Sequence, residues 1–141
     1  PLYSSAASDV YKRQDYIRLK GHTNLQEIYH QYELFVSASQ SEGFGLTLME
    51  AVGSGLGMIG FDVNYGSPTF IRHNENGYLI PIDLDYETID EVINRMADKI
   101  VQFFENGSKQ PHEISYNIAE PFKTSHIVEH WRQLIEEVLH D

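Results

Sequence analysis

Between Leu34 and Pro81 the chain alternates short apolar runs with glycine-bounded segments, and this rhythm limits its fold more than any other feature. Leu34-Phe35-Val36-Ser37-Ala38, Met58-Ile59-Gly60-Phe61 and Tyr78-Leu79-Ile80 are too short for buried helices. They are mostly apolar along their whole length, as strands buried on both faces are. The second run ends at Asp62; the third follows the turn signal Asn76-Gly77 and is closed by Pro81. Residues 46–54 read as a helix after a glycine-rich turn, and Pro68 to His73 fit one or two helical turns. Upstream, Tyr16-Ile17-Arg18-Leu19-Lys20 alternates like a strand and stops at Gly21. Leu25, Ile28, Tyr29 and Tyr32 recur at helical spacing within residues 24–33, where Asn24 suits an N-cap with Glu27 three residues on. Strand, helix, strand, helix, strand is the signature of βαβ units. The expected fold is therefore α/β, a Rossmann-like parallel sheet with helices on both faces. About four strands are visible where a full doubly wound sheet has about six, so the sheet is expected to be partial, with at least one raw edge.

Beyond Asp83 the pattern turns helical. Ile89, Val92, Ile93, Met96, Ile100 and Phe103 mark a long amphipathic helix ended by Asn106-Gly107. Residues 112–121 suit a short helix. Ile127, Trp131, Leu134, Ile135 and Val138 mark a last one. Trp131, Phe122 and Phe104 are most simply core residues, and the acidic stretch 83–98 a solvated helix face.

The first fourteen residues, Pro1 to Gln14, show neither periodicity. They have no apolar core or basic start of a signal peptide. They read as a non-native leader, a library or assembly scar, which leaves 15–141 as the folded domain.

Composition removes several classes of function. With 10 Lys+Arg against 21 Asp+Glu the formal net charge is −11, which argues against nucleic acid and against anionic lipid as partners of this chain. There is no cysteine, so disulfide scaffolds and cysteine zinc sites are excluded. Aromatic residues make up 12%, too many for a disordered chain. No run approaches the roughly 18 apolar residues of a membrane span. The expected location is the cytoplasm, any hold on the inner membrane face resting on parts outside this chain.

The segment from Ser37 to Ala51 carries the chemistry. A buried strand ends in a small polar loop, Gly43 and Gly45 flank Phe44, and a helix starts near Leu46. Open α/β sheets bind ligands at such carboxyl ends. Free amides at a helix start favour an anion, phosphate above all. Glu42 precedes those amides and Glu50 lies eight residues on. Two carboxylates beside a phosphate-binding turn are poor at holding the phosphate but good at accepting from hydroxyls on either side of it. A sugar on one side and a ribose on the other describe a nucleotide-sugar. A glutamate at a helix start can also serve only the helix dipole; it is the whole segment that favours a donor site.

Glu42-Gly43-Phe44-Gly45-Leu46-Thr47-Leu48-Met49-Glu50 resembles the donor-site motif of the retaining GT-B glycosyltransferases of family 4. The similarity runs on through Ala51-Val52-Gly53-Ser54-Gly55 and Asn74-Glu75-Asn76-Gly77-Tyr78-Leu79-Ile80-Pro81 to the helix with Trp131, over about residues 15–141. The resemblance implies the C-terminal, donor-binding half of such an enzyme. It implies that Glu42 contacts the donor sugar near the reacting centre, that Glu50 binds ribose hydroxyls, and that Gly43, Phe44, Gly45, Leu46 and Thr47 line the diphosphate turn. His22, after Gly21, is placed to approach the nucleotide base. No metal and no cofactor are expected, the UDP-sugar being a substrate. Phe35 to Glu42 and Gly53 to Gly66 are similar in particular to the accessory-secretion branch, whose members move N-acetylglucosamine from UDP-N-acetylglucosamine to Ser/Thr-rich adhesins with a second, chaperone-like glycosyltransferase subunit. Gly57 where most members have proline fits that branch. The element Asp62…Tyr65-Gly66 is shared with teichoic-acid poly(glycerol-phosphate) glucosyltransferases, which stay an alternative.

Two departures bear on activity. The family's earlier Arg and Lys, which neutralise the leaving diphosphate, have no match here, and the acceptor-binding N-terminal GT-B domain lies outside the chain. The 141 residues alone are therefore expected to be inactive. A non-catalytic GT-B binding subunit is the alternative from another class; intact Glu42 and Glu50 favour the enzyme. A dinucleotide-binding dehydrogenase fails, since Gly43-Phe44-Gly45-Leu46-Thr47-Leu48 lacks the third glycine. His126 and His130 share a helix face without a carboxylate base between them, and read as solvated.

Overall fold

The computed structural model describes residues 17–18, 20–106 and 112–140. The leader read over 1–14 and Gly107 lie outside them.

Three parallel strands form one sheet in the order β1 (Leu34–Ser37), β2 (Gly57–Phe61), β3 (Gly77–Ile80). Val36 pairs with Ile59 and Ile59 with Tyr78, which fixes the register. Every residue of β2 is buried, as a central strand between two layers requires. Its side chains alternate between the layers. Met58 joins Leu48, Ala51 and Val52 of α1 (Leu46–Gly53), Phe70 of α2 (Gly66–Phe70) and Ile118 of α4 (His112–Ala119). Ile59 and Tyr78 face the other way, onto Val92 and Met96 of α3 (Ile89–Glu105). The α/β reading, with a parallel sheet covered on both faces, stands.

The fourth strand expected over Tyr16 to Lys20 does not appear among the described residues. Ile17, Arg18 and Lys20 have no regular structure, while Tyr16 and Leu19 lie outside the described residues. Among the described residues β1 and β3 each pair on one side only.

The helix expected over 24–33 is instead two short 3-10 turns, Leu25–Glu27 and Tyr29–Gln31. Asn24 stands at the N-cap, but its amide donates to Glu27 Oε1 at 2.9 Å and its oxygen caps no backbone N–H. Without that acceptor, and with β-branched Ile28 at φ −117° between the turns, the segment closes tighter i→i+3 bonds. Ile28 N–H bonds to Leu25 O and Tyr32 N–H to Tyr29 O, both at 3.0 Å. The three-residue turn still carries Tyr29 into the core, where it is 4% exposed.

The helix expected over 68–73 runs from Gly66 to Phe70. Pro68 thus lies in its first turn, where a missing N–H costs nothing. Ile71 is already extended, and buried Asn76 holds the exit: its Oδ1 accepts from Arg72 N–H at 2.7 Å and its Nδ2 donates to Phe70 O at 3.0 Å. Ser115 of α4 donates to Leu56 O at 2.7 Å, which ties the outer helix to the start of β2.

Thr88 and Glu91 form a capping box at the head of α3. Arg95 Nη2 donates to Glu87 at 2.7 Å and to Pro81 O at 2.7 Å, strapping the helix to the end of β3. Pro121 closes α4 into a 3-10 turn, Glu120–Phe122, and α5 (Thr124–His140) follows with no buried residue. Two of the three aromatics read as core are not: Trp131 is 60% and Phe104 50% exposed. Phe122 does pack against the core. No helix among the described residues is long and apolar enough to cross a membrane.

Candidate functional site

The carboxyl end of β1 opens into the loop that carries Glu42, Gly43 and Phe44, and α1 begins at Leu46. Gly45 caps the helix at φ 83°, a left-handed conformation that suits glycine. A Cβ there would lie 2.8 Å from Leu48 Cδ1 and 3.2 Å from Glu42 Cγ, so the turn is close-packed as well as left-handed.

This conformation leaves donors unused. The amides of Gly43, Phe44, Gly45, Leu46, Thr47 and Leu48 donate to no acceptor among the described residues. The first bonded amide of the helix is that of Met49, which donates to Gly45 O at 2.9 Å. Gly43, Phe44, Leu46 and Thr47 are exposed and Gly45 and Leu48 buried, so the free donors open on one side to solvent. Such a set, with the positive end of the helix dipole behind it, favours an anion.

Each glutamate beside the turn is held from a different direction. Glu42, half-buried, forms a bridge with Tyr65 after β2. Its N–H donates to Asn64 O at 3.3 Å, and its carbonyl accepts from Tyr65 N–H at 2.5 Å and Gly66 N–H at 3.1 Å. Gly66 has no room for a side chain: a Cβ would stand 2.6 Å from Phe44 O and 2.9 Å from Glu42 Cγ. Glu50, also half-buried, accepts from the hydroxyl of buried Tyr29 at 3.5 Å, and the same hydroxyl lies 3.4 Å from Thr47 O. Burial first, and the Glu50 carboxylate second, raise the Tyr29 pKa above its ordinary 10.0.

Phe44 anchors the loop. Its ring meets Phe70 edge-on at 5.4 Å and Phe122 at 5.8 Å, and those two rings are 5.1 Å apart. Aromatic pairs in this range add to what burial alone contributes. Phe44 is still 49% exposed, so one side of it faces solvent beside the free amides.

Glu42, Gly43, Phe44, Gly45, Leu46, Thr47 and Glu50 thus lie on the loop after β1 and the helix α1 that it opens into. His22 is exposed, and no hydrogen bond or ring contact among the described residues ties it to the turn. Tyr29, Tyr65, Gly66, Phe70 and Phe122 support the site without having been singled out for it in the sequence. Ser67 is buried inside α2, while Thr69 Oγ1 donates to Tyr65 O at 2.9 Å. His126 lies 3.2 Å from Glu120 Oε1, and no group of three or more metal-ligating side chains is present among the described residues.

Known proteins are similar to this chain in sequence and in fold. A peptide N-acetylglucosaminyltransferase GtfA subunit of Streptococcus pneumoniae serotype 4, specific by its name for UDP-N-acetylglucosamine, is 53% identical over 99% of this chain and 29% of its own length. The crystal structure of the pneumococcal O-GlcNAc transferase GtfA in complex with UDP and GlcNAc superposes with a TM-score of 0.86 at 50% identity. It covers 99% of this chain, which spans 28% of that one. A GtfA/B complex matches with a TM-score of 0.78 at 45% identity, covering 95% of this chain and 28% of the other. Residues 5–120 match the family described as glycosyl transferases group 1, and with the fold and the relatives in agreement the chain belongs to that family.

Proposed function

We propose that this chain is the donor-binding part of a retaining glycosyltransferase that moves N-acetylglucosamine from UDP-N-acetylglucosamine to a Ser or Thr hydroxyl of a serine-rich protein. The observation that carries the proposal is the row of unused amides from Gly43 to Leu48 between two carboxylates. The likeness to a pneumococcal transferase crystallised with UDP and GlcNAc supports the choice of nucleotide and sugar. The likeness to a GtfA/B complex supports a second glycosyltransferase subunit as partner.

In this reading the diphosphate lies across the turn and accepts from its amides. Glu50 accepts from the ribose hydroxyls and Glu42 from a hydroxyl of the donor sugar. The bond between the anomeric carbon and the phosphate oxygen breaks, and UDP departs with the electron pair. The acceptor oxygen bonds to the same face of that carbon and passes its proton to the departing phosphate oxygen. Fixed amides aimed at the charge that builds on the leaving group stabilise the transition state without having to reorganise. They do part of that work; cations from segments outside this chain do the rest. Glu42 is an orienting group and no nucleophile, and the turn needs no metal ion.

The test uses a full-length protein that contains this chain. Glu42→Gln is expected to lower kcat by on the order of a hundredfold or more, with KM for UDP-N-acetylglucosamine changed far less. Glu50→Ala is expected to weaken UDP binding by about tenfold in calorimetry, since one charged hydrogen-bonding partner is lost. Full turnover in the first variant removes the role of Glu42. Unchanged UDP affinity in the second removes that of Glu50.

A further inference from the structure

The reading above leaves Tyr29 without a task, although it is unlike the other aromatic residues. It is the buried tyrosine whose oxygen reaches the nucleotide side of the site. It comes from the 3-10 turn Tyr29–Gln31, before β1, not from the motif itself. Its ring is fixed in the core against Phe35, with centroids 6.2 Å apart. Its hydroxyl then ends 3.5 Å from Glu50 Oε2 and 3.4 Å from Thr47 O, so a single group faces both the second glutamate and the first turn of α1.

We propose that Tyr29 is a positioning residue for the nucleotide: its buried hydroxyl holds one oxygen of Glu50 and thereby aims the other at the ribose. The inference rests on the ribose role of Glu50 proposed above. A hydroxyl has a single proton to donate, and among the described residues Glu50 is the charged acceptor in its reach. A carboxylate has about four acceptor positions, so one bond on Oε2 fixes its plane and leaves Oε1 open. A half-buried glutamate on an eight-residue helix would otherwise sample several rotamers. Ordering it before the ligand arrives removes that entropy from the binding step. The raised pKa of Tyr29 keeps the proton on the phenol, so the donor is present throughout the neutral range.

Tyr29→Phe keeps the ring and its packing and removes only the donor. In the full-length protein this variant is expected to weaken UDP binding by about tenfold, while inorganic pyrophosphate, which lacks the ribose, binds as before. In a Glu50→Ala background the same substitution is expected to change UDP affinity less than twofold, because its effect travels through Glu50. In the chain free of ligand, NMR couplings of the Glu50 side chain are expected to report one χ1 rotamer, and an average over several in Tyr29→Phe. A Glu50→Ala variant that binds UDP normally overturns the ribose reading. A normal Glu50→Ala loss with UDP affinity or Glu50 couplings unmoved in Tyr29→Phe overturns the positioning role alone. So does an equal loss of pyrophosphate affinity, which would mark a general loosening of the turn.

Discussion

Glu42 and Glu50 belong to one local motif, yet each is held by residues far from it in sequence. Glu42 depends on the segment Asn64-Tyr65-Gly66, which bonds its backbone on both sides. Gly66 is the sharpest dependence, because a methyl group there meets the Phe44 carbonyl and the Glu42 side chain together. In a full-length protein that contains this chain, Gly66→Ala is therefore expected to displace the loop and lower turnover by on the order of a hundredfold, with the melting temperature moved by only a few degrees. Near-normal kcat in steady-state assays would contradict the tight approach. The spacing of the two glutamates and the flanking glycines was legible in the sequence because it is a local pattern. The dependence on Tyr29, Gly66 and Phe70 was not, since it arises only when 3-10 turn, loop and helix fold against one another.

At the scale of elements, long periodic segments and short apolar runs bounded by glycines were readable, and the segment before β1 was not. The buried stripe Val92, Met96, Ile100 and Phe103 gave α3 nearly to the residue, because an amphipathic helix of that length has one stable way to bury its face. Residues 24–33 carry a similar spacing but lack a working cap, and they fold as 3-10 turns. Thr88 shows what a working cap does: its Oγ1 accepts from Glu91 N–H at 3.3 Å, and Glu91 Oε2 accepts from Thr88 N–H at 2.7 Å. Thr88→Ala is expected to cost about 1 kcal/mol in denaturant melts; no change would show that the strap from Arg95 to Glu87 suffices to start α3. On α5, Arg132 donates to both oxygens of Glu129, from Nε at 3.0 Å and Nη2 at 2.7 Å. That hydrogen bonding, aided by Gln133, lowers the Glu129 carboxyl from its ordinary 4.5 to about 2. A pKa depressed in the folded helix means that the support is complete above 4.5 and fades as pH falls through about 2. An NMR titration of Glu129 is expected to give a midpoint well below 4.5, with α5 helicity declining over the same interval; a midpoint at the ordinary value would mean the pair does not persist in solution.

Across the whole molecule, the parallel sheet and its two helical layers followed from the strand–helix alternation. The number of strands did not, because the first alternating run has no paired neighbour among the described residues. The last helix stands where its spacing put it, but the burial of Trp131 was misjudged for a related reason. Hydrophobic spacing reveals that a face exists, and Ile127, Trp131, Leu134 and Val138 do form one, but it says nothing of what covers that face. Here nothing among the described residues buries it. The chain's single tryptophan makes this measurable. Trp131 is expected to fluoresce as an indole in water and to be quenched readily by iodide in the isolated chain. A blue-shifted, protected emission would mean that the apolar face has found cover in solution.

The three phenylalanine rings at 44, 70 and 122 come from the motif loop, from the helix after β2 and from the turn before α5. Because the loop is already pinned to its own scaffold, the nucleotide proposed to bind there has little disorder left to quench. Association should then be paced by encounter, not by loop closure, and its rate should scale simply with solvent viscosity. Cutting back Phe122, far along the chain, would make the same loop hesitate before every capture.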